Sequence, residues 1–199
     1  MNFKNCFQQN GNRITKTLIC DLHLAITLNN VKEVENVLQR VKRLDPDFDV
    51  NSITFIGNAS PLSYAVYRSH EEIVRLLLKY RCNPNRVSKD HLSRIEPPLC
   101  SAVRIGNTAI IESLLKLTSR LNVNQTDFFS QTPLWLAVKS RRLDIVKMII
   151  ENDNFTVDCD SFRVQKSSPV YLAAKYLRQG RRKIFELLIN SGMPLCSIG

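Results

Sequence analysis

The sequence predicts an all-α solenoid of about five stacked helix-turn-helix units joined by hairpin-like loops, on three observations. A six-residue phrase recurs four times, as Ser60-Pro61-Leu62-Ser63-Tyr64-Ala65, Pro97-Pro98-Leu99-Cys100-Ser101-Ala102, Thr132-Pro133-Leu134-Trp135-Leu136-Ala137 and Ser168-Pro169-Val170-Tyr171-Leu172-Ala173. The prolines lie 37, 35 and 36 residues apart, a period that marks stacked repeats rather than one globular core. An apolar quartet at helical spacing follows each phrase.

Residues 1–19 read as a polar N-terminal extension. A first, weaker copy then reads Asp21-Leu22-His23-Leu24-Ala25, followed by Glu33, Val34, Val37 and Leu38. The polar Glu33, where other copies have Ile, suits a unit whose outer side meets water. In three of the four clear phrases a hydroxyl residue precedes the proline. This order starts a helix, because the side-chain oxygen caps a free N–H and proline at the first position lacks the donor that would be orphaned.

Eight residues after the alanine comes a second helix with one apolar stripe: Ile73, Val74, Leu77, Leu78; Ile110, Ile111, Leu114, Leu115; Ile145, Val146, Ile149, Ile150. The fourth stripe, Ile184, Phe185, Leu188 and Ile189, comes eleven residues after Ala173, so about three residues are inserted around Gln179-Gly180-Arg181. The predicted units span about 20–51, 59–85, 96–124, 131–158 and 167–195, and together form one domain over 20–195.

With proline, leucine and alanine in this register, the chain resembles the ankyrin repeat. His23 stands at the family's usual histidine, Ser69-His70-Glu71-Glu72-Ile73-Val74 resembles its turn and second-helix start, and Tyr80-Arg81-Cys82-Asn83-Pro84-Asn85 resembles its exit toward the hairpin. Asn-x-Asn exits at Asn83-Pro84-Asn85 and Asn122-Val123-Asn124 separate this pattern from other helix-pair solenoids. The glycines are degenerate. The turn glycine is kept as Gly106 but is Ser69 and Arg141 elsewhere, and the glycine ending the second helix is kept clearly only as Gly192. A helix end without glycine takes either a costlier left-handed residue or another geometry.

Composition narrows the function classes. Hydrophobic residues are 44% of the 199, enough for a core, but no apolar run approaches the roughly 18 to 20 residues of a membrane helix. A soluble protein without membrane insertion is predicted. No secretory signal is visible in residues 1–16. The cysteines Cys6, Cys20, Cys82, Cys100, Cys159 and Cys196 form no C-x-x-C pair, and the three histidines lie in three segments, so no metal site is predicted. Reduced thiols fit a cytoplasmic or nuclear protein. No cofactor motif, phosphate loop or motif-defined nucleophile appears; Cys100 lies in repeat register with no histidine predictably near. No enzyme activity is predicted.

The resemblance implies a concave side built from first helices and hairpin tips that grips protein partners. Two residues after each alanine stand Tyr67, Arg104, Lys139 and Lys175, three cations in register. Residues 132–199 account for half of the formal net charge of +10, with Lys139-Ser140-Arg141-Arg142 and Arg178-Gln179-Gly180-Arg181-Arg182-Lys183 on turns between paired helices. Such a surface favours an acidic partner, although solvated turn cations that keep a repeat protein soluble would look the same. Phe128 and Phe129, Phe55 and Ile56, and Phe162 fall in hairpin segments, where they either anchor a partner or pack hairpin on hairpin. Trp135 and Tyr171 occupy the register of His23, as contact residues or repeat interface.

The expected function is therefore a non-catalytic interaction module, monomeric when unbound, contacting its partner through Tyr67, Arg104, Lys139, Lys175, Phe128, Phe129 and Trp135. Binding of nucleic acid or anionic lipid by the basic surface is the weaker reading, because the basic turns lack the interleaved aromatics of RNA readers. The array also resembles substrate receptors of ubiquitin ligases that carry a C-terminal SOCS box, and short inhibitor-of-NF-κB-like proteins. Met193 to Gly199 is too short for such a box, so a chain ending there would hold a target without recruiting the ligase by that route. The resemblance further implies Asn51, in Phe48-Asp49-Val50-Asn51, as a hydroxylation site.

Overall fold

In the computed structural model, residues 13–55, 58–89, 95–156, 168–177 and 182–193 are described. They carry ten α-helices, one 3-10 turn and one short antiparallel hairpin. The chain divides into two compact units, Met1–Pro98 and Leu99–Gly199.

In the first unit, α1 (Arg13–Thr27) pairs with α2 (Val31–Leu44), and α3 (Pro61–Tyr67) with α4 (Glu71–Lys79). The pairs stack, α1 against α3 and α2 against α4. A 3-10 turn (Val50–Ser52) lies on the connection, and β1 (Ser88–Lys89) and β2 (Ile95–Glu96) form a hairpin with Ser88 opposite Glu96. The second unit holds α5 (Pro98–Ile105, its first residue at the division), α6 (Thr108–Leu117), α7 (Pro133–Lys139), α8 (Leu143–Ile150), α9 (Pro169–Tyr176) and α10 (Arg182–Asn190). Here α7 packs on α9, and α8 lies between α6 and α10.

The helix starts form as the sequence predicts. Ser60, Thr132 and Ser168 are N-caps whose hydroxyls accept from the N–H groups of Ser63, Trp135 and Tyr171, each with proline next in the helix. All three hydroxyl residues are buried, so losing one leaves a helix-start N–H without its acceptor. Asn30 and Asn107 cap α2 and α6 in the same way.

The second-helix stripes lie in the core together with first-helix residues such as Leu22, Leu62, Leu99 and Leu134. Val34, Val37, Leu38 and Val41 of α2, Ile73, Val74, Leu77 and Leu78 of α4, Ile110, Ile111, Leu114 and Leu115 of α6, and Ile145, Val146 and Ile149 of α8 are all buried. In α10, Ile184 and Leu188 are buried while Phe185 and Ile189 are half-buried. Each fully buried aliphatic side chain contributes about 1.5–3 kcal/mol.

The first helix begins earlier than expected. α1 starts at Arg13, inside the stretch 1–19 read as a polar extension. The reason is Leu18, which is buried and extends the stripe of Leu22, Ala25 and Ile26 back by one turn. The three-residue insertion near Gln179 lies outside the described residues, as do Ile56 and Phe162.

At the turns that lack glycine, the backbone keeps the left-handed conformation. Asn29, Ser69 and Arg141 have φ of 53°, 58° and 62°, where Gly106 has 82°, and Arg81 at the end of α4 has 61°, where Gly192 has 81°. Side-chain amides tie successive connections together. Asn51 donates to Asp49 and to the Arg81 carbonyl and accepts from the Asn83 N–H. Asn124 donates to the Thr156 carbonyl at 2.9 Å, and Asn152 to the Leu115 carbonyl at 3.1 Å.

Two stability changes of opposite sign follow. Ser69→Gly and Arg141→Gly relieve left-handed strain and are expected to raise stability by about 0.5–1 kcal/mol each. Thr132→Ala removes a buried cap and is expected to lower it by about 1 kcal/mol. Urea unfolding followed by circular dichroism measures both.

Candidate functional site

The connection between α6 and α7 ends in a tight turn at residues 127–131, and one carboxylate organises it. Asp127 is buried. Its Oδ1 accepts from the N–H groups of Phe129 (2.8 Å) and Gln131 (2.9 Å), while its own N–H donates to the Gln131 carbonyl. Ser130 completes the turn at φ 56°. A buried carboxylate needs a counter-charge, and Arg104 at the end of α5 supplies it, with Nη2 2.6 Å from Oδ2. The turn thus holds Phe128 and Phe129 outward, 58% and 55% exposed. Their rings meet edge to face at 5.4 Å and 83°.

The three cations in register are therefore not equivalent. Arg104 is engaged with Asp127. Lys139 is exposed and its Nζ sits 4.9 Å over the ring of Trp135, a cation-π contact along one face of α7. Lys175 is exposed on α9, which packs against α7. Trp135 is half-buried, and its Nε1 is buried with no hydrogen-bond partner among the described residues. The basic turn beside Lys139 is partly structural. Arg142 clamps Asp144 with two hydrogen bonds of 3.0 and 2.6 Å and reaches the Gly106 carbonyl. The pair raises the arginine's affinity for its proton and holds the Asp144 carboxyl below its usual range.

In the first unit Tyr67 stands 72% exposed at the end of α3. Beneath this helix end lies an aromatic cluster. His23 stacks on Tyr64 at 4.8 Å and 27° and meets Phe55 edge-on at 4.8 Å. Phe55 is buried, so of its two expected roles it takes the packing one. The Tyr64 hydroxyl shares a hydrogen bond with the Thr27 hydroxyl, and Arg68 donates to the Thr27 carbonyl.

Leu24 of α1 and Leu28, in the turn just after it, are also exposed, and sequence reasoning did not single them out. The signal was there: Leu24 falls off the buried set Leu22, Ala25 and Ile26, so helical geometry points it away from the core.

The thiols of this region are structural. Burial, with Asp49 adding to it, pushes the Cys82 thiol up to about 12, and buried Cys100 donates to the Gln125 carbonyl at 3.4 Å. Among the described residues no group of three His, Cys, Asp or Glu side chains is placed to hold a metal ion, and no helix is long and apolar enough to cross a membrane.

Short helix pairs, capped at proline and stacked through their second-helix stripes, define a helical-repeat protein. A family model described as ankyrin repeats in three copies matches residues 95–197, and one for a single ankyrin repeat matches residues 58–89. The chain belongs to the ankyrin-repeat family.

It is 27% identical over 146 residues to alpha-latrocrustotoxin-Lt1a of Latrodectus tredecimguttatus, covering 71% of this chain and 10% of the toxin. To the potassium channel AKT2/3 of Arabidopsis thaliana it is 26% identical over 175 residues, covering 73% of this chain and 21% of the channel. The chain thus spans about a tenth and about a fifth of the lengths of these relatives. The crystal structure of the ankyrin repeat protein EF0377 shares the fold, with a TM-score of 0.68 at 23% identity, over 88% of this chain and 83% of that one.

The aromatic cluster makes the first unit sensitive to acid. Desolvation, then the nearby Arg68 charge, lowers the pKa of His23 below its usual 6.5, and the same two causes lower His70, whose Nε2 is buried without a partner among the described residues. Below pH 6.5 the unfolded chain binds the proton more readily than the folded one, so stability is full above that pH and declines as pH falls toward the depressed folded values. Urea midpoints are expected to drop between pH 7 and 5, and His23→Phe, which keeps the ring stack, is expected to flatten part of that slope.

Proposed function

We propose that this chain is a non-catalytic module that holds an acidic protein partner on its exposed first-helix ends and loop tips. Ankyrin repeats are protein-interaction modules, and the carrying observation for this chain is the tip at 127–131. It commits a buried carboxylate, its ion pair with the exposed Arg104 and two backbone hydrogen bonds to holding two phenylalanines in water. Core formation gains nothing from that arrangement, whereas exposed aromatics on a fixed support are what partner contacts use.

Lys139 and Lys175 supply the charge that favours an acidic partner, Tyr67 an exposed aromatic on the first unit, and Trp135 the support beneath Lys139. The protein acts as a monomer in the cytoplasm or nucleus until it meets its partner. Service as the target-recognition part of a ubiquitin-ligase adaptor, or as an inhibitor-of-NF-κB-like regulator, would use the same contact residues.

The test is affinity capture with mass spectrometry on the wild-type chain and on K139E/K175E. Proteins retained by the wild type are expected to fall by about tenfold with the variant while the thermal midpoint stays within a few degrees, because exposed charges act mainly on association. Unchanged capture removes the basic residues from the contact. Strongly salt-dependent binding to RNA fragments, abolished by the same variant, would move the reading to nucleic acid.

A further inference from the structure

Arg104 stands in register with Lys139 and Lys175, yet its Nη2 lies 2.6 Å from an Asp127 carboxylate whose side chain is only 1% exposed. That carboxylate in turn fixes the N–H groups on either side of Ser130. The guanidinium is thus one bond removed from the geometry of Phe128 and Phe129. We propose that the Phe128–Phe129 pair anchors an apolar side chain carried on an acidic, extended segment of the partner protein, and that Arg104 acts through Asp127 as the positioning residue of this tip rather than as a contact cation. The inference rests on the binding-module reading and names the partner's chemistry.

Three observations select this occupant. The Phe rings meet at 83°, so they form an edge-and-face corner for one side chain and not two parallel platforms for successive bases, which single-stranded nucleic acid requires. Arg104, the cation bonded to this turn, is engaged with Asp127, so its charge is already matched by a carboxylate rather than offered to a phosphate. A second copy of the chain brings the same net charge of +10, which opposes self-docking. An acidic segment meets Lys139 and Lys175 with complementary charge while its apolar residue enters the corner.

The test uses a random twelve-residue peptide library displayed on phage, panned on the full chain, with enriched peptides synthesised and measured by fluorescence anisotropy. Peptides with an apolar residue flanked by Asp or Glu are expected, and F128A/F129A is expected to weaken them by about tenfold or more, as loss of an aromatic anchor does. R104A and D127N are each expected to weaken binding about three- to tenfold, with the double variant no worse than either alone, since both break one latch. R104K, which keeps a donor to Oδ2, is expected to restore most of the affinity.

Folding of every variant is checked by circular dichroism, and F128A/F129A, which alters only exposed rings, reads the anchor independently of the latch. Enriched peptides that lack acidic residues, or that bind F128A/F129A unchanged, overturn the anchor and leave the module reading standing. Absence of any enrichment overturns it as well. Additive losses for R104A and D127N overturn the positioning role. Oligouridylate binding, or self-association, that is lost in F128A/F129A would assign the corner to that occupant instead.

Discussion

A helix of seven to ten residues has no stability of its own in water, and eight of the ten helices here are that short. Each exists because its apolar stripe is covered by the next pair. In the first unit α2 and α4 cover one another, and in the second α8 is covered on both sides by α6 and α10. Capping, turn geometry and hairpin staples refine that arrangement, but none of them would hold a lone pair together. The dependence on neighbours is what makes stability here a sum of local terms and interfaces.

The same dependence explains why the turns tolerate poor residues. Serine and arginine at φ near 60° are strained on their own, but the alternative geometry would swing a second helix off its neighbour and uncover four aliphatic side chains. Burial of that set outweighs the roughly 1–2 kcal/mol that a left-handed residue costs. At Gly106 the choice is narrower. A Cβ there would lie 3.0 Å from Nη1 of Arg142, the movable end of a long side chain, so it is φ of 82° rather than close approach that calls for glycine.

The surface separates into residues that serve the array and residues that do not. His23, Tyr64 and Phe55 share one aromatic cluster, and Arg142 closes a turn. Tyr67, Phe128, Phe129, Lys139 and Lys175 are exposed. Asp127 belongs to both groups, because burial makes it dependent on Arg104 while its backbone contacts display the rings. A loop tip built this way is stiff where an unsupported one would be ordered only on binding, and that reduces the entropy lost when a partner docks.

The paired helices, their proline starts, the hydroxyl caps and the buried stripes were legible in residue order, because each depends on spacing within some twenty residues of chain. So was the exposure of Phe128 and Phe129 as one of two options for a loop between repeats. The start of α1 at Arg13 was missed, although Leu18 stands one turn before Leu22 and continues its spacing. The role of Arg104 was not legible. Register alone made it the equal of Lys139 and Lys175, and only folding brings Asp127, twenty-three residues away, under its guanidinium. Likewise Phe55 became core rather than contact once His23 and Tyr64 closed on it. Local periodicity determines which faces are oily. Which charge meets which, and which ring is left in water, is decided by contacts between segments that no spacing rule connects.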